Sequence, residues 1–127
     1  MKQKEKKIKV KRAKPFAANL ASTKMLEASG WTVGTVEQTI RTGVITFKRD
    51  LFNFVDLVAI SPSRGILFVQ ATGGGNMGAR ALKIRDNPIY AIALAAGARI
   101  QVHDWVKVKN SKDRFCKILE ITKEENV

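Results

Sequence analysis

Asp56 stands inside an otherwise apolar run, Phe54-Val55-Asp56-Leu57-Val58-Ala59-Ile60. Burying a lone carboxylate is costly unless it is paired, hydrogen-bonded or bound to a cation. The next apolar run, Leu67-Phe68-Val69-Gln70-Ala71-Thr72, follows the turn-forming stretch Ser61-Pro62-Ser63-Arg64-Gly65. Side chains alternate along a strand, so Gln70 and Thr72 share a face. An acid opposite two polar groups at i and i+2 makes an oxygen-lined pocket of cation size. Mg²⁺ or Mn²⁺ suits it, taking one or two carboxylates or carbonyls together with water and phosphate oxygens. The chemistry such an ion supports is hydrolysis at phosphorus. The plainer alternatives are an Asp56 salt bridge to Arg49 or a hydrogen bond to a turn, with Thr72 an ordinary strand residue.

Other machinery is excluded or weak. The glycines at 73, 75 and 78 satisfy G-x-G-x-x-G after a strand, but the acid that a dinucleotide ribose requires about 20 residues later is missing. No Gly-Lys-Ser/Thr follows, so there is no Walker A loop. His103 is the sole histidine and Cys116 the sole cysteine, which rules out an intrachain disulfide and a four-ligand Cys/His zinc site. No serine sits in a nucleophile-elbow context, so His103 is expected to line a strand.

Charge is the strongest compositional signal. Lysine and arginine number 23 against 11 acids, for a net charge of +12. Residues 1–14 hold eight of the cations (Lys2, Lys4, Lys6, Lys7, Lys9, Lys11, Arg12 and Lys14) against Glu5 alone, so +7 lies there and +5 in the rest. A polyanion is the expected partner, since phosphate neutralisation by Lys and Arg releases condensed counterions. A membrane is not expected. The longest apolar run, 89–96, is far short of the roughly 20 residues a span needs, and no apolar h-region follows the basic start. Cysteine usage fits a reducing cytoplasm.

The elements that must position these groups follow from periodicity and punctuation. The pattern predicts a flexible basic arm over 1–14, one domain over 15–123 and a frayed tail over 124–127. Within the domain a helix is expected over 16–29, capped by Gly30. Strands are expected over 31–40, over 44–60 with a bend at Lys48-Arg49-Asp50, and over 66–72. Helices follow over 77–85 and from Asn87-Pro88 to Gly97. A closing strand pair covers 99–107 and 115–121. The order α-β-β-β-α-α-β-β predicts an α/β fold with a mixed sheet of about five strands flanked by helices. The glycine turn at 73–75, leading into a helix N-terminus, is expected to suit an anion.

Asp56, a short hairpin, then Gln70-x-Thr72 resembles the PD-(D/E)xK nuclease signature. The likeness extends through Gly30-Trp31, Val36-Glu37, Arg49-Asp50-Leu51-Phe52-x-Phe54-x-Asp56, Gly74, Asn76, Ala79-Arg80, Lys83-Ile84 and Trp105. Taken in order over residues 17–121, these pieces look like the small Holliday-junction-resolvase-like (VRR-NUC-like) proteins of phages. The resemblance implies a restriction-endonuclease-like core, Mg²⁺-dependent cleavage of branched or double-stranded DNA, and a homodimer. It further implies Asp56 and Gln70 as metal ligands. Thr72 stands at the usual lysine position, so Lys83 would supply the ammonium. The acid of the first helix falls at Asn19, so Glu37 would replace it. Arg49, Arg80, Lys83, Lys9, Lys11, Arg12 and Lys14 are the expected DNA contacts. The expected function is a structure-selective, metal-dependent DNA endonuclease. The alternatives are a nuclease-fold DNA-binding protein without turnover, and a basic RNA-binding or assembly protein.

Overall fold

Apolar side chains at helical spacing need one face to pack on. In the computed structural model, which describes residues 16–123, they form α1 over Ala18–Ala28, with Leu26 buried beneath it. Gly30, at φ +93, ends it in a conformation that costs a glycine nothing. Then come β1 (Thr32–Thr35), β2 (Gln38–Thr42), β3 (Ile45–Arg49), β4 (Leu57–Ser61) and β5 (Gly65–Gly73). α2 (Met77–Arg85), α3 (Ile89–Ala95), β6 (Arg99–Lys107) and β7 (Arg114–Ile121) complete the chain. The arm over 1–14 and the tail over 124–127 lie outside the described residues.

Five strands form a mixed sheet in the order β1-β4-β5-β6-β7, with β5 and β6 parallel and the other neighbours antiparallel. The parallel step requires a crossover, and α2 and α3 supply it. Alternation divides the strands between two cores. Leu57, Ala59, Leu67 and Val69 pack with Trp31 and Leu26 on the α1 face. Phe54, Val55, Ile100, Val102 and Ile121 pack with Ala81, Ile84 and Ala93 on the α2–α3 face.

The expected element order needs one correction. The runs 31–40 and 44–60 are not single strands: each divides, so that β1 pairs β4 inside the sheet while β2 pairs β3 in a separate two-stranded ribbon. The cause is a mismatch in length. Between the paired positions Thr35↔Leu57 and Gln38↔Arg49, one side has only residues 36 and 37, the other residues 50–56. The longer side loops out and closes on itself through reciprocal Leu51–Val55 backbone bonds of 3.0 and 2.9 Å, with Phe52 and Asn53 left-handed. Burial of Phe54 and Val55 in the core anchors this excursion.

His103 fastens α1 to the sheet. Trp105 Nε1, which can only donate, gives its hydrogen to Ser22 Oγ at 2.9 Å. The Ser22 hydroxyl is thus directed at His103 Nδ1, 2.9 Å away, and His103 Nε2 donates to Gln101 Oε1 at 2.9 Å. Gln101 Nε2 donates to Glu120 (2.8 Å), which Arg99 grips with two 3.0 Å bonds. Both ring nitrogens are used by a neutral imidazole, so His103 is a structural residue.

Candidate metal and phosphate site

The length mismatch that splits the strands also builds a site. A closed excursion brings its two ends together, so Asp50 and Asp56 become neighbours although six positions apart. Glu37 sits at the matching break on the other strand. Carboxylate oxygens of Glu37, Asp50 and Asp56 lie within 4.8 Å of one another. Oxygens on one Mg²⁺ lie about 3.0 Å apart in cis and about 4.2 Å apart in trans, so the three carboxylates must draw closer to share an ion.

β5 runs past the start of β4 and supplies the floor. Asp56, just before β4, donates its backbone N–H to Val69 O (2.9 Å), while its Oδ2 accepts from Ala71 N at 2.9 Å. Gln70, 3% exposed, donates Nε2 to Asp50 Oδ2 at 3.4 Å. Its Oε1 is buried without a hydrogen-bonding partner among the described residues. An unsatisfied buried acceptor costs about 1–3 kcal/mol. Gln70 also lines a cavity. That cavity, about 470 Å³, is walled by Ala17, Ala18 and Asn19 at the start of α1, by the four oxygen-bearing residues, and by Ala71, Lys48 and Arg80.

Electrostatics mark Asp56 as the strained member. Burial, then the hydrogen bond and charge of Asp50, push its carboxyl up to about 7, against lowering contributions from Ala71 N–H and Gln70. Without a cation, Asp56 is therefore largely protonated below neutrality. Lys48 offsets part of the negative charge, its Nζ 3.6 Å from Glu37. Burial raises the Cys116 thiol to about 11, which keeps it out of nucleophilic chemistry.

Of the residues expected from sequence, Asp56, Gln70, Glu37 and Arg80 converge on this cavity. Thr72 is buried further along β5, opposite Asp104, and does not line it. Lys83 is exposed on α2 and also stays outside. Arg49 is exposed at the end of β3, paired with Gln38, and the groups that act on Asp56 do not include it. Lys9, Lys11, Arg12 and Lys14 lie outside the described residues. The anion expected at the glycine turn is intramolecular: Asp104 accepts from Gly75 N (3.2 Å) and Met77 N (3.1 Å), capping α2 from β6. The sequence places Lys48 and Asp50 at a bend, and Asp50 within the nuclease-like series, without assigning either to the site. Their roles depend on closure of the excursion, for which the left-handed pair Phe52-Asn53 leaves little trace in sequence.

Two buried groups give opposite pH dependences. His103 has its pKa lowered by burial from 6.5 to about 4. The unfolded chain then takes up a proton that the folded one refuses, so stability is full above pH 6.5 and falls toward pH 4. The loss is roughly 3 kcal/mol. Asp56, raised from 3.8 to about 7, works the other way: the folded state loses stability as pH rises through that window. In wild type the two offset each other between pH 4 and 6.5. In Asp56→Asn the histidine stands alone, and denaturant midpoints are expected to fall steadily between pH 6.5 and 4. A flat profile would exclude a buried neutral imidazole.

No protein family, curated protein or solved structure matches this chain.

Proposed function

We propose that the chain is a metal-dependent nuclease that hydrolyses phosphodiester bonds in DNA, with a PD-(D/E)xK-type site on a restriction-endonuclease-like core. The observation that carries this reading is the convergence of three carboxylates and the buried Gln70 carboxamide on a cavity also lined by Arg80 and Lys48. Acids alone would suit a structural cation. Adding two cationic side chains to the same wall suits a phosphate brought against that cation.

The residues fit a divalent ion: Asp56, Asp50 and Glu37 offer carboxylate oxygens, and Gln70 offers a neutral one. A bound ion would supply Lewis acidity and neutralise charge developing on the phosphoryl group. Arg80 holds a non-bridging phosphate oxygen, and Lys48 supplies an ammonium where Thr72 does not. Ala71 N–H fixes the orientation of Asp56. Its partial protonation near pH 7 makes ion binding compete with a proton, so activity is expected to climb between pH 6 and 8.

The test is cleavage of linear duplex, single-stranded and four-way-junction DNA with Mg²⁺, Mn²⁺ or EDTA. Cutting that requires a divalent ion, and that is greater on the junction, is the expected result. No cutting of any substrate with either metal defeats the proposal. A second reading, binding without turnover, draws on the absence of Thr72 and Lys83 from the cavity. It predicts salt-sensitive binding in that same experiment and no product.

A further inference from the structure

The ribbon β2–β3 stands apart from the five-stranded sheet, and its residues are exposed apart from the half-buried Ile40. Its tightness comes from Gly43, at φ +57, which begins a two-residue turn between Thr42 and Ile45. Val44 at the tip is fully exposed. Residues 38–49 contain Arg41, Lys48 and Arg49 and no acid.

Register and alternation sort the ribbon into two unlike faces. Ile40 opposes Phe47, Thr42 opposes Ile45 and Gln38 opposes Arg49, so these share one face, apolar at its centre. Thr39 opposes Lys48 and Arg41 opposes Thr46, so the other face holds two hydroxyls and two cations. Lys48 is the hinge of the argument, because it also lines the metal and phosphate cavity. The hydroxyl-and-cation face therefore continues outward from that cavity. Arg41 lies two residues beyond the Thr39–Lys48 pair, roughly 7 Å along the strand, or about two nucleotide steps of a duplex.

Threonine hydroxyls and arginine are groups that hold phosphate oxygens without reading sequence. Single-strand binders add to a basic groove rings on which bases stack. The ribbon's one aromatic, Phe47, is on the opposite face. We infer that the Thr39/Arg41/Thr46/Lys48 face of the ribbon grips the phosphate backbone of a double-stranded nucleic acid, about two nucleotides from the phosphate held at the cavity. This assignment rests on the phosphodiester reading of the cavity and adds to it the substrate class, duplex, and a sequence-independent grip.

The experiment measures binding alone. Full-length Arg41→Ala, Arg41→Lys and the opposite-face control Ile45→Thr are titrated with a fluorescent 20-base-pair duplex and a single strand of the same length, in EDTA, across a salt series. For Arg41→Ala, duplex Kd is expected to rise about five- to tenfold, and the slope of log K against log salt to shrink by about one. Arg41→Lys should restore the slope and Ile45→Thr should match wild type. An unchanged Kd and slope in Arg41→Ala overturns the inference, and so does an equal loss on the single strand. Because no metal is present, an Arg41-dependent duplex grip in a protein that never cuts would overturn the nuclease reading alone.

Discussion

Asp56→Asn is expected to lower metal-dependent cleavage by roughly 10²–10³-fold or more while leaving duplex affinity in EDTA within about twofold. The asymmetry follows from position. Asp56 is 5% exposed and its carboxylate is engaged with Ala71 N–H, Asp50 and Gln70, so a cation in the cavity, rather than the bulk of a polyanion, is what it would contact. The same substitution is expected to stabilise the metal-free protein at pH 8. A carboxyl raised to about 7 against 3.8 in the unfolded chain costs the folded state of the order of 4 kcal/mol once ionised. An amide keeps the shape, can still accept from Ala71 N–H, and carries no charge. Asp56→Asn should therefore melt several degrees higher than wild type in EDTA at pH 8, with the gap closing as pH falls toward 4. Addition of Mg²⁺ or Mn²⁺ should raise the wild-type melting temperature and leave the variant almost unmoved. A ligand at 100 times its Kd contributes about 2.7 kcal/mol, which a thermal scan resolves easily. A variant that still cuts DNA, or that gains as much from the metal as wild type does, would remove Asp56 from the site.

Phe54→Ala should be the most damaging core substitution, with two consequences from one side chain. Phe54 is 1% exposed and belongs to the cluster formed with Val55, Ile84, Ile100 and Val102. Removing a buried ring costs about 3–5 kcal/mol in lost burial and residual cavity. That is a large part of the roughly 5–15 kcal/mol available to a domain of this size. Phe54 is also the plug that holds the 50–56 excursion against the sheet. Loosening it separates Asp50 from Asp56, so the fraction that remains folded should show little melting-temperature gain from Mg²⁺. Ile100→Ala, on β6 in the same cluster, serves as the comparison: it costs a similar 2–5 kcal/mol but leaves the excursion seated. Equal loss of metal response in both variants would mean that global stability, rather than the excursion, governs the site.

How much of this was legible beforehand depends on how far apart in sequence the causes lie. α1, α2 and α3 were readable within a few residues, because 3.6-residue periodicity and the flanking Gly30, Asn87-Pro88 and Gly97 are local signals. β5, β6 and β7 were readable for the same reason, as unbroken apolar or alternating runs between turn residues. A lone aspartate in an apolar run and a glutamine on the next strand were enough to nominate Asp56 and Gln70, since the cost of burying such groups depends on their chemistry rather than on the fold.

The division of two long β runs into β1, β2, β3 and β4 was not readable. It arises from comparing two segments across a hairpin, two residues on one side against seven on the other. Asp50 became a neighbour of Asp56 only because that excess closes into a loop anchored by Phe54. Arg80 rather than Lys83 reached the cavity because a helix face is assigned by the sheet beneath it. Composition and local pattern thus determined the element types, the basic character and the two residues that had to find partners. Tertiary structure decided which partners those were. Local propensity acts over a few residues, whereas strand register and helix docking are set by a core that must fill completely, and that constraint belongs to no single segment of the chain.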